Sequence, residues 1–263
     1  MPLLLVYGKE LRDRMVLVAM TSSVLLLLCV ATGALWEPMS VQFASLRDLL
    51  PAALLALVPG GDMSTTTGWI NAQVMSLTAP GALIVVAILS AIRGTVGEED
   101  RGTLAMLLGN GVGRITFGTA KVCAMLTHVL VTGVVLAGGL LGANSIWSLD
   151  VQASRLIAAS AHAVTLAWFF GVVTIALGLS TGRSRLSAML SVAIAATAFV
   201  VATFFPLSQT LSGWERTSPW YYFSAADPLN EGAHFGYMML LIGASLTLFL
   251  LSLSAFHRRD LKN

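Results

Sequence analysis

Long apolar runs separated by short polar segments dominate the pattern of this sequence. Because a bilayer core takes about 20 apolar residues per helical crossing, and lipid offers no partner to free backbone polar groups, these runs predict membrane-spanning helices. The predicted spans are residues 15–36, 69–92, 115–143, 156–179, 186–205 and 235–256. The pattern therefore predicts an all-α membrane protein with six transmembrane helices in a single transmembrane domain, residues 1–263.

The composition agrees with a chain whose main solvent is lipid. Hydrophobic residues make up 56% and charged residues 11%, with a mean hydropathy of +0.82. Soluble domains carry about 25% charged residues. Cys29 and Cys123 both lie inside apolar runs, so neither a disulfide nor a metal cluster is expected. No nucleic-acid partner is expected either.

Residues 1–14 predict a short amphipathic helix before the first span. Its apolar side carries Leu4, Tyr7 and Leu11, and its charged side carries Lys9, Arg12 and Asp13. This pattern is typical of a helix that lies in the membrane–water interface. We expect it to form an elbow that leads into the first span.

The basic residues predict the direction of insertion. Six spans place both termini on one side, and the segments on that side hold twelve of the 15 Lys and Arg residues. The opposite side holds three, Arg47, Arg155 and Arg216. Because Lys and Arg are enriched on the cytoplasmic side, both termini are predicted to be cytoplasmic, in a multi-pass protein of the cell's inner membrane.

Two features inside the spans predict helix packing and shape. Gly133, Gly138, Gly139 and Gly142 lie in the third span and Gly171 and Gly178 in the fourth, where small residues let helices approach closely. Pro80 lies inside the second span and predicts a kink there.

The segment between the second and third spans, residues 97–114, predicts a short amphipathic helix outside the bilayer. Glu98, Glu99 and Asp100 are expected at its start, where acids complement the helix dipole. Apolar leucines follow them. Three glycines then precede Arg114, at the entry to the third span.

This segment closely resembles the signature of the type-2 ABC exporter (ABC-2 type) permease family. The resemblance is carried by Glu98-Glu99-Asp100-Arg101-Gly102-Thr103-Leu104, then Leu107-Leu108 and Arg114. Further similar stretches are Tyr7 to Leu11, Ser218 to Tyr222 and Arg258 to Leu261. Ala105 and Gly111 depart from the family pattern, which commonly has an acid and a proline there.

The resemblance implies a coupling helix that seats in a groove of a separate ATPase subunit. The residues expected to make that contact are Glu98, Glu99, Asp100, Gly102, Thr103, Leu104, Leu107, Leu108 and Arg114. It further implies a pair of permeases, the second a copy or a paralogue, with two cytoplasmic ATPases. An apolar or amphipathic substrate would be exported by alternating access.

Several enzyme motifs are absent from the sequence. It holds no GxxxxGK(S/T) phosphate loop and no HExxH pattern. We therefore expect no catalytic residue and no cofactor in this chain, with ATP and Mg²⁺ bound by the partner ATPase.

Two other functions remain open at the sequence level. The same architecture can transmit ATP-driven motion to an extracytoplasmic partner, which the loops 37–68 and 206–234 are large enough to bind. An ATP-independent secondary transporter or channel would also have six spans, but it usually needs ionisable groups at the midplane, which these spans almost lack.

His128 and His162 are ionisable groups predicted at membrane depth. They are candidates for lining a substrate path, and packed, hydrogen-bonded histidines are the alternative interpretation. Two imidazoles are too few ligands for a metal site. Arg93 and Lys121 are expected to reach the cytoplasmic boundary by snorkelling.

The loop before the sixth span is rich in aromatic residues. Trp214, Trp220, Tyr221 and Tyr222 are predicted to anchor it in the interface, with gating of an outer exit as the alternative.

Overall fold

The computed structural model describes residues 2–47, 62–100 and 113–258, and no β-strand occurs in these ranges. The helices are α1 (Pro2–Asp13), α2 (Met15–Ala34), α3 (Trp36–Arg47), α4 (Thr66–Ile70), α5 (Thr78–Asp100), α6 (Arg114–Ile146), α7 (Ala153–Thr181), α8 (Ser184–Phe204), α9 (Tyr221–Ser224) and α10 (Phe235–Arg258). A π-helical segment, Asn71–Met75, connects α4 to α5.

Six helical stretches are long and apolar enough to cross a membrane. They are Met15–Ala34, Thr66–Ile92, Ile115–Ile146, Ala153–Thr181, Ser184–Leu207 and Phe235–Phe256, with mean hydropathies from 2.0 to 2.4. Each overlaps one predicted span, and the ends differ by three residues at most. The predicted fold class, an all-α membrane protein with six transmembrane helices, is confirmed.

Helix α7 is the centre of the bundle. It packs against α5, α10, α6 and α8, and 67% of its most apolar window is buried. The corresponding share is 22% for α2 and for the span that contains α8. These two helices therefore lie at the periphery of the chain.

Three of the predicted packing glycines make close helix contacts, and one of them, Gly133 of α6, leaves no room for a Cβ beside Val164 of α7. A Cβ atom on Gly171 of α7 would lie 2.6 Å from Sδ of Met125 and 3.1 Å from Cβ of Ala87, so three helices meet there. A Cβ on Gly139 would lie 3.1 Å from Sγ of Cys29 on α2. Gly138, by contrast, faces open space.

The irregularity in the second span lies before Pro80. The amide of Ser76 donates to the carbonyl of Asn71 at 2.7 Å, which is the i to i+5 spacing of a π-helix. Pro80 itself lies in the first turn of α5, where a missing N–H is tolerated. The span is thus built from two helices joined by a π segment.

Candidate functional site

The residues predicted to couple to an ATPase follow the second span. Helix α5 continues through Asp100, so the three acids belong to α5 instead of opening a separate short helix. It extends eight residues past Ile92, where the apolar window ends, and this extension is about 12 Å long at 1.5 Å per residue. Arg114 begins α6. Gly102, Thr103, Leu104, Leu107 and Leu108 lie outside the described residues.

A buried ion pair joins α1 to the third span. Nζ of Lys121 lies 2.5 Å from Oε1 of Glu10, and the two side chains are 1% and 7% exposed. The snorkelling prediction for Lys121 is therefore wrong. The sequence could not indicate this pair because its members lie 111 positions apart.

Two further polar contacts continue along the same face of α1. Nη2 of Arg14, just after α1, donates to the carbonyl of Leu89 on α5 at 2.5 Å. The hydroxyls of Tyr7 and Thr127 lie 2.9 Å apart. Since Tyr7, Glu10 and Arg14 follow helical spacing, they form one stripe, which we call the N-terminal clamp.

The opposite face of α1 matches its predicted polarity. Lys9, Arg12 and Asp13 are exposed, as the sequence pattern predicts. The clamp shows that the other face buries charge as well as apolar surface. The position of α1 in a membrane interface stays a prediction.

The two histidines are both buried, in different helix interfaces. His128 on α6 is 3.2 Å from Oγ of Ser90 on α5, measured from its Nδ1. His162 on α7 accepts a hydrogen bond at Nε2 from the backbone amide of His234, at 3.1 Å. The structure does not bring the histidines together, and their place in a substrate path stays a prediction.

A groove of about 460 Å³ opens at the end of the bundle that lies opposite the chain termini. Three segments form most of it: the π segment with the two residues that follow it, the last turns of α8, and the loop around α9; Met63 adds to the wall. The lining residues that bear on its chemistry are Asn71, Ser76, Thr203, Trp220, Phe223 and Asp227. We call it the distal groove.

Trp220 forms one wall of the distal groove. It is 3% exposed, and its ring packs edge-on against Phe199 and Phe223, with centroids 5.0 and 6.3 Å away. Oγ of Ser218 donates to the carbonyl of Ala198 at 2.6 Å and so ties the loop to α8. The prediction that Trp220 anchors the loop in the interface is therefore wrong, because the residue belongs to the core.

Trp214, in the same loop, is 63% exposed, as expected of an interfacial anchor. Composition alone cannot separate these two tryptophans. The distal groove was likewise missed, since its walls come from residues about 130 positions apart. Two sequence features could have indicated the groove. They are Pro80, which interrupts a regular helix, and the Ser-Pro-Trp turn, which folds back on α8.

These features define the class of protein. The chain is a multi-pass α-helical membrane protein, and its six apolar helices suggest a membrane transport protein. No model of a known protein family matches the chain, and no curated protein matches it.

Proposed function

We propose that this chain is the transmembrane permease subunit of an ATP-binding-cassette exporter of the ABC-2 type. It works with a second permease, a copy or a paralogue, and with two cytoplasmic ATPases that supply ATP hydrolysis. The observation that carries the proposal is the extension of α5 beyond the second span. This extension bears Glu98, Glu99 and Asp100, the first residues of the family signature.

The extension lies on the side from which an ATPase would act. Consecutive spans cross in alternate directions, so the α5 extension, residues 93–100, shares a side with α1 and with the end of α10. That side also carries most of the basic residues, which supports its being cytoplasmic. An ATPase docked at residues 98–114 would therefore pull or push directly on the end of α5.

Contacts between helices would transmit this movement of the α5 end into the bundle. Among the described helices, α5 and α7 make the most extensive contact, and α5 also packs on α6 and α8. Because packed helices move as rigid bodies, displacement of the α5 end would shift the central helix and the distal groove with it. This is the coupling that alternating access between two permease halves requires.

The distribution of charge supports an ATP-driven mechanism over an ion-coupled one. None of the six spans contains Asp or Glu. The buried charges among the described residues, Glu10, Arg14 and Lys121, all belong to contacts of the N-terminal clamp. Ion-coupled transporters usually carry ionisable groups near the midplane, so energy from a separate ATPase fits this chain better.

The test places charge on the apolar face of the proposed coupling segment. We expect Leu104→Glu combined with Leu107→Glu to abolish co-purification of the partner ATPase, because carboxylates cannot enter an apolar docking groove without loss of hydration. ATP hydrolysis by the reconstituted complex in lipid nanodiscs should be lost with it.

The control is Leu211→Glu, an equally large change at an exposed leucine in the loop on the opposite side. It should leave the complex and its ATP hydrolysis intact. A fully coupled complex of the double variant would overturn the proposal.

A further inference from the structure

The distal groove has a single charged residue among the described residues that line it, Asp227. Its carboxylate accepts hydrogen bonds from Nδ2 of Asn230 at 3.0 and 2.9 Å. Within the described part of the chain, no Lys, Arg or His forms an ion pair with it. Among the described residues, the charge of Asp227 therefore has no opposite charge beside it, in a groove whose other lining residues are uncharged.

Two of the hydroxyl groups of the groove, those of Ser76 and Ser224, also present acceptors. Oγ of Ser76 donates its proton to the carbonyl of Ala72 at 3.0 Å, and Oγ of Ser224 donates to the carbonyl of Trp220 at 3.2 Å. Each hydroxyl keeps oxygen lone pairs but no free proton. A ligand that meets them must bring its own donors.

The backbone near the π segment also favours a ligand that donates hydrogen bonds. Pro80 has no N–H, so the carbonyl of Ser76 lacks the donor that a regular helix would supply four residues later. Ser76 lines the groove. The irregular start of the second span thus leaves acceptor capacity beside the groove.

Apart from Asn71 and Thr203, the remaining walls are apolar or aromatic. Trp220, Phe223 and Phe199 form a cluster of edge-on rings beside the charged residue. Aromatic faces attract cations, and they also bury the hydrocarbon body of a ligand. The volume of about 460 Å³ lies within the range of small-molecule sites, roughly 300–1,000 Å³.

From this arrangement we propose that the distal groove binds an amphipathic organic cation, with its hydrogen-bond-donating charged end at Asp227 and its apolar body against Trp220 and Phe223. As a cargo site, the groove rests on the export function proposed above. As a binding site, it depends only on the described residues of this chain. A fatty acid or another organic anion is disfavoured, because its charge would face a carboxylate and acceptor oxygens.

The experiment measures binding of two dyes that share a xanthene skeleton to the purified chain in nanodiscs without ATPase. Rhodamine 123 is a cation with N–H donors, and fluorescein is an anion. We expect saturable binding of rhodamine 123 by fluorescence anisotropy and at least tenfold weaker binding of fluorescein. Asp227→Asn should weaken rhodamine 123 binding about tenfold, and Asp227→Glu should restore most of it.

Two variants locate the effect. Asp150→Asn is the matched control, since Asp150 is an exposed acid in another loop on the same side and shares the positive φ of Asp227, 55° against 37°. It should leave binding unchanged. Thr203→Phe adds a ring at the groove wall on α8 and should abolish binding of rhodamine 123.

The outcomes separate this proposal from the export function. Equal binding of both dyes, or unchanged binding in Asp227→Asn or in Thr203→Phe, would overturn the cation site whatever the ATPase result. Rhodamine 123 binding that follows the expected pattern, in a chain that captures no ATPase, would support the site and count against the export function.

Discussion

Breaking the buried ion pair of the N-terminal clamp should destabilise the protein strongly. Lys121→Met removes the ammonium group but keeps an unbranched side chain of similar length. It leaves the Glu10 carboxylate, only 7% exposed, without its opposite charge. Removal of one partner from a buried pair costs about 3–5 kcal/mol, so we expect a loss of this size in the free energy of unfolding.

The complementary change should cost less. Glu10→Gln leaves the Lys121 ammonium 5.0 Å from the centroid of the Phe117 ring, and that cation–π contact is worth about 0.5–2 kcal/mol. The double variant should lose less than the sum of the two single variants, by about 0.5–3 kcal/mol, because it leaves no buried charge uncompensated.

The assay is unfolding by sodium dodecyl sulfate titration in mixed micelles, followed by tryptophan fluorescence. Arg12→Gln serves as the control, since Arg12 is exposed on the other face of α1 and should tolerate the change. Strictly additive single effects would refute the idea that the pair acts as one unit. Single variants as stable as the wild type would show that α1 is not docked through this contact.

Two further predictions use the same unfolding titration. Gly171→Val should lower the free energy of unfolding by about 1–3 kcal/mol, because even a Cβ atom there would lie 2.6 Å from the sulfur of Met125. Gly138→Val should be tolerated, because nothing lies within 4 Å of a Cβ at that position, and equal losses in both variants would refute the packing argument. Trp220→Ala should lower the free energy of unfolding by about 3–5 kcal/mol, because it leaves a cavity in the core. Trp214→Ala should lower it much less, since Trp214 is 63% exposed. The reverse order would show that Trp220 is not a core residue.

The N-terminal helix shows what the local pattern of polar and apolar residues can predict and what it cannot. Helical periodicity correctly placed Lys9, Arg12 and Asp13 on the exposed face. The same periodicity carried no sign that Glu10 would be buried, because a carboxylate is buried only when another element supplies its counter-charge. That element, the third span, comes 111 positions later.

The second span shows a different limit. Pro80 correctly marks the point where a regular helix cannot continue through the preceding turn. Pro80 by itself does not specify whether the chain forms a bend, a break or a π segment at this point. The structure has a π-helical segment there, Asn71–Met75, in which Val74 and Met75 are buried.

The sequence by itself determined that this chain is a membrane protein with six apolar helices. The reason is that the transfer of an apolar run into lipid depends on the length and composition of that run alone. The charge asymmetry and the signature at residues 98–114 are likewise local, and they support the permease hypothesis. Only the tertiary structure decided the burial of Glu10 against Lys121, the core position of Trp220 and the distal groove around Asp227. Each of these depends on contacts between distant segments, and such contacts leave no periodic trace in either segment.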